Sequence, residues 1–197
     1  MVCLSASPAK IQFNSVSSHK VFKSKFLFIN MAEKEKIFVS KMKFTGVFKF
    51  GDFYQFCYDW LRDETQLIIT EKKYSEKIVG DGKNLEIEWN GTRELTDYFK
   101  LEVDVKFRIL NLKDVEISEG GRKMKMDSGI LEMDIKGTLV RDYKGKFEKN
   151  WFQKFIRAIY EKGVISARIE QFQEKINSDC DEFLAQAKAY LDLIGKR

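Results

Sequence analysis

The residues best suited to do chemistry are conspicuous by where they are missing. The chain has one histidine, His19, and none from Glu33 to Arg197. A body without imidazole excludes Ser-His-Asp and Cys-His catalysis, histidine-ligated metal centres and the usual general base near neutral pH. The three cysteines, Cys3, Cys57 and Cys180, are too scattered for a disulfide framework or a thiolate metal site. Cys57 and Cys180 fall on apolar helical stripes and are expected to be small core residues. No catalytic constellation, metal site or cofactor is expected.

The remaining motifs have simple readings. Gly80-Asp81-Gly82 and Gly120-Gly121 match neither a dinucleotide fingerprint nor a phosphate loop and read as turns. Ser40-Lys41-Met42-Lys43 has Ser-x-x-Lys spacing but lies in a strand pattern, without the companion motifs of a serine acyltransferase. Asn90-Gly91-Thr92 is a glycosylation sequon without meaning in a chain that is not secreted. Glu86, Glu88, Glu102 and Asp104 share the polar face of strand patterns with Lys106 and Arg108, where cross-strand ion pairing is the expected role. Lys41, Lys43 and Lys49 interleave with phenylalanines, and Arg122, Lys123 and Lys125 form a second basic cluster. These six are the candidate patch for RNA or single-stranded nucleic acid. A period of two, however, turns the aromatic rings away from the lysines, so nucleic acid is disfavoured.

The elements that position these residues follow from apolar spacing. Residues 37–50 alternate, with Met42, Phe44, Phe48 and Phe50 on one face. Gly51-Asp52 ends the strand, and Asp52 is placed as the N-cap of a short helix whose stripe is Phe53, Phe56, Cys57, Trp60 and Leu61. Residues 67–79 are β-like, and Leu85, Ile87 and Trp89 begin another strand. Asn90-Gly91 reads as a hairpin turn or a bulge. Leu101, Val103, Val105, Phe107 and Ile109 give the clearest strand, buried on one face and wet on the other. Gly120-Gly121 and Asp127-Ser128-Gly129 read as turns bracketing a short piece, Arg122 to Met126, before a last strand from Leu131 to about Tyr143. A helix marked by Phe152, Phe155, Ile156 and Ile159 follows, broken or bent at Gly163. A long helix from Ile165 to Ile194 then carries a near-heptad stripe with one stutter at Ile176 to Cys180. Strands segregated from helices define an α+β fold, with an antiparallel sheet of about five to seven strands packed by the long C-terminal helix.

Charge divides the chain in two. Residues 1–32 hold Lys10, Lys20, Lys23 and Lys25, six serines and no acidic residue, so four of the five net positive charges lie there. This stretch reads as a disordered leader or an upstream extension with Met31 as the true start, with an organellar transit peptide as the alternative. Residues 33–197 are expected to form one globular domain of nearly neutral charge. No window is apolar enough to span a bilayer, and the body is expected to be soluble and cytoplasmic.

The order of strand, helix, strand run and final helix resembles the helix-grip layout of START-like lipid-binding domains, in element order alone. That resemblance implies a sheet wrapped on a helix around a hydrophobic ligand; strand and helix phase alone make Trp60, Trp89, Phe107 and Met133 the candidates to face such a cavity. Two functions therefore compete. The first is a non-enzymatic binding or assembly module acting through the sheet and the long helix. Its stripe of Ile165, Ile169, Phe172, Ile176, Phe183 and Tyr190 would meet a second copy or a partner helix. The second is an intracellular carrier of a lipid-like ligand.

Overall fold

The computed structural model describes residues 33–119, 122–145, 159 and 166–195. The leader, the Gly120-Gly121 turn, Gly163 and most of the helix expected around Phe152 lie outside the described residues. The elements run β1 (Glu33–Phe48), α1 (Phe50–Asp63), β2 (Ile68–Val79), β3 (Gly82–Glu94), β4 (Phe99–Glu119), β5 (Arg122–Arg141) and α2 (Ser166–Gly195). The fold is α+β, with one antiparallel sheet in the order β1-β5-β4-β3-β2.

Alternation decides which face is buried. Leu85, Ile87 and Trp89 of β3, Leu101 to Ile109 at every second position of β4, and Leu131, Met133, Ile135 and Leu139 of β5 form the inner face. α1 adds Phe53, Cys57 and Leu61, and α2 adds Ile176, Cys180, Phe183, Leu184, Ala187 and Leu191. These residues form one continuous core. Removing so much apolar surface from water is the main stabilising term, at ~25 cal/mol per Å². α2 comes especially close to β5 at Gly137, where a Cβ would stand 2.8 Å from Ile176 Cγ2 and 3.0 Å from Cys180 Sγ.

Several expectations at element ends are corrected. β1 stops at Phe48, and Phe50 opens α1 instead of closing the strand. Asp52 is not the cap; the helix start is capped from another element, because the Phe50 N–H donates to Asp127 Oδ2 at 2.9 Å. Asp127-Ser128-Gly129 is therefore no turn. β5 runs unbroken from Arg122 to Arg141, and the piece from Arg122 to Met126 is its first segment. Gly129 is small because the bulging β4 passes over it, with Leu110 O at 3.1 Å from a Cβ built there. Asn90-Gly91 is neither turn nor bulge: both pair regularly inside β3, and Gly91 makes room for Leu67. The β3–β4 turn falls at residues 95–98, closed by Leu95 and Thr96 N–H donating to Phe99 O. The turn between β2 and β3 is where the sequence places it, with Gly80 at φ 61°.

Candidate functional site: the open face of the sheet

The inner face carries the residues proposed to line a cavity, and they are packed against one another. Trp89 and Phe107 meet edge to face at 4.8 Å, and Tyr54 of α1 sits 4.7 Å from Trp89. Met133 lies opposite Phe107 in the β4–β5 ladder and is fully buried. Trp60 stands apart, 5.3 Å from Phe183 of α2. The hollow between α1, α2 and the sheet, lined by Leu61, Thr65, Leu67, Val103, Cys180 and their neighbours, is about 10 Å³. That is the limit for a single water molecule.

Burial also sets the chemistry of this face. It pushes the Cys57 thiol up and the Cys180 thiol to about 12, so both stay protonated and unreactive near neutral pH. Burial, then the hydrogen bond that the Tyr54 hydroxyl donates to Glu71 at 2.8 Å, raises the Tyr54 phenol to about 12. The Trp89 Nε1–H donates to the same hydroxyl at 3.3 Å.

The helical stripe offered for self-association faces this interior. Ile176 and Phe183 are buried, Ile169 and Phe172 are packed on the core, and Tyr190 stacks on Phe56 at 4.6 Å. Ile165 lies outside the described residues. α2 therefore spends its apolar face on its own domain.

On the outer face the expected ion pairs form. Lys106 Nζ lies 2.6 Å from Glu86 and 2.7 Å from Glu88, and Lys73 reaches Glu86 at 2.5 Å. Hydrogen bonds from Lys106 and then Lys73 hold the Glu86 carboxyl down at about 2. Arg108 bridges Glu132 and Asp134, which also take Lys43 and Lys41 at 3.4 Å. Asp104 accepts from Asn90 at 2.7 Å. Burial alone would raise the Glu102 carboxyl, but Lys34 at 2.7 Å and Lys100 at 3.6 Å outweigh it and hold it low.

A groove of about 440 Å³ crosses all five strands here, from Val39 and Lys41 through Lys136, Asp134, Asp104, Lys106 and Glu88 to Lys72. Its four lysines face three carboxylates, so it has no strong preference for an anion.

The six basic candidates do not converge. Lys41 and Lys43 are on the outer face. Lys49 precedes α1 and pairs with Asp52 at 2.9 Å. Arg122 begins β5, and Lys123 and Lys125 lie exposed on the inner side of its first segment, Lys123 being 3.8 Å from Glu116.

The outer face carries one further feature, which strand patterning missed. β3 pairs with β4 only as far as Leu112, and β1 pairs with β5 only from Asp127 onward. Beyond these limits β4 and β5 continue as a two-stranded arm. Leu110 opposite Ile130, Val115 opposite Met126 and Ile117 opposite Met124 lie on the outer side, where no described helix covers them. Leu110 is 39% exposed and Met124 42%, and the other four are half-buried. An apolar strip thus adjoins the charged ladder.

Among the described residues no cluster of His, Cys, Asp and Glu could hold a metal ion, and no helix is long and apolar enough to cross a membrane. The fold is thus α+β, with one sheet face closed by the helices and one that no described element covers. Comparison with protein-family models, characterised proteins and solved structures returns no match.

Proposed function

We propose that the chain is a non-enzymatic binding and assembly module that works through the open face of its sheet, with α2 as the rigid backing. The observation that carries this reading is an apolar strip that no described element covers, beside a groove crossing all five strands. A contiguous apolar patch rimmed by charge is a typical interaction surface, since exposing it to water gains nothing for the isolated domain. The carrier reading draws no support from the hollow between the helices and the sheet, because ligand pockets are usually ~300–1,000 Å³.

Radical footprinting with mass-spectrometric readout tests the proposal. The full chain is labelled at high dilution, and again at working concentration in extract of the cells that make it. Protection at Leu110, Met124 and Ile130, with Leu193 of α2 labelled equally in both, is the expected result. Protection confined to the helical side, or equal labelling of both faces in the two states, overturns it.

A further inference from the structure

We propose that Lys136 anchors the outer groove by taking one carboxylate side chain from an extended segment of a partner protein, an inference that rests on the reading above and names the chemistry of the partner. The groove holds four lysines and three carboxylates. Three of the lysines are already matched there. Lys41 stands 3.4 Å from Asp134, Lys106 2.7 Å from Glu88 and Lys72 3.8 Å from Asp104. Lys136 is the one left over, since among the described residues no acidic group forms an ion pair with it. The carboxylate opposite it in β4, Asp104, is engaged by Asn90 at 2.7 Å as well as by Lys72.

Position makes this spare charge matter. Lys36 and Lys77 are exposed on the two edge strands and keep their water whatever fills the groove. Lys136 is half-buried on β5 and lines the groove itself. An occupant that expels water from the groove strips this ammonium of solvent, and must return a charge of opposite sign to bind well. The matched lysines make no such demand.

The same charges limit what the occupant is. Each negative charge beyond the first would meet Asp134, Asp104 or Glu88, so a polyanion is rejected. Directly opposite Lys136 in β1, Val39 is 64% exposed, which places an apolar side chain of the occupant beside its acid. With strands ~4.8 Å apart and an extended chain rising ~3.3 Å per residue, about six residues cross the five strands.

Phage display of a random peptide library on the full chain, followed by fluorescence polarisation of the selected peptides, tests this. The binders are expected to share one Asp or Glu beside an apolar residue. Lys136→Met, which removes the charge and keeps an apolar stem, should weaken them about fivefold, and Lys136→Glu about tenfold or more. Lys188→Glu, exposed on α2, should leave them unchanged. Replacing the peptide's acid by lysine should reverse the order, so that Lys136→Glu binds more tightly than the wild type. All variants are to keep the wild-type circular dichroism spectrum. A library without binders, binders that lack an acid, equal affinity for the wild type and Lys136→Met, or a single-stranded RNA 20-mer that binds through Lys136 overturns the proposal. Such a failure with the strip still protected in the footprinting experiment removes the Lys136 anchor and leaves the binding-module reading standing. A strip labelled equally in both states removes that reading as well.

Discussion

The two faces of the sheet are built by the same five strands, one residue out of phase, yet they obey different physics. On the inner face Phe107 is flanked by Trp89, Phe53 and Tyr54 at ring distances of 4.8, 6.3 and 6.5 Å, and nothing there is exposed. One position along on the outer face, Lys106 is held by two carboxylates in open water. The inner contacts remove apolar area from solvent and are therefore insensitive to salt and pH. The outer contacts exchange water for an ion pair at little net gain, and ions screen them. The inner face holds the fold together, and the outer face, relieved of that duty, is free to carry a groove and an apolar strip.

Substitutions should divide along the same line. Phe107→Ala, which empties the centre of the aromatic cluster, is expected to cost ~3–5 kcal/mol in denaturant unfolding. Its neighbour Arg108→Ala should cost under ~1 kcal/mol. Equal losses for the two would erase the distinction between the faces. Gly137→Ala comes next, at ~1–3 kcal/mol, because the new methyl collides with a branched side chain of α2 rather than a pliant one. A stability unchanged within error would show that α2 does not lie where the close approach at Gly137 puts it. Met124→Ser, on the uncovered strip, should stay within ~0.5 kcal/mol of wild type. A larger loss would mean that the strip is covered within the isolated chain.

How far these faces were legible in the sequence depends on whether the strand kept its phase. From Leu101 to Ile109 every odd residue is apolar and every even one polar, so the buried face could be read directly. The odd apolar pattern resumes at Val115 and Ile117, which suggests the same face. Between them, however, Asn111 and Leu112 together oppose Gly129 in a bulge, with Asn111 at φ 53°, and this extra residue turns the later side chains outward. Periodicity cannot see such a step, and the arm with its apolar strip was missed for that reason. Asp127 and Gly129 misled in a related way. Each is a common turn residue, but one caps α1 from across the fold and the other makes room for a bulging neighbour, roles that exist only once distant elements have met. The helices were easier: the stripe at Phe53, Cys57 and Leu61 and the one from Ile169 to Tyr190 are set by local spacing alone. Their partner was not, since spacing cannot say whether a stripe meets its own sheet or a second chain.

The smallest expected effect isolates the outer face most cleanly. Lys106 and Lys73 hold the Glu86 carboxyl at about 2 instead of 4.5, so its ionised form is favoured in the folded state. A carboxylate whose folded value lies below its unfolded value stabilises the fold above the unfolded value and loses that contribution as pH falls through the folded one. The window is thus from about 4.5 down to about 2. Lys106→Met removes the larger of the two causes while leaving Lys73 in place. Thermal melts of this variant and of the wild type should therefore converge as the pH is lowered through that window, and should differ by only a small, salt-sensitive amount above it. Because Glu86 is open to solvent, added salt should shrink the difference at neutral pH. A gap that is unaffected by salt and persists below the window would show that Lys106 stabilises the sheet through its buried stem rather than its charge, and the outer face would then share the physics of the inner one.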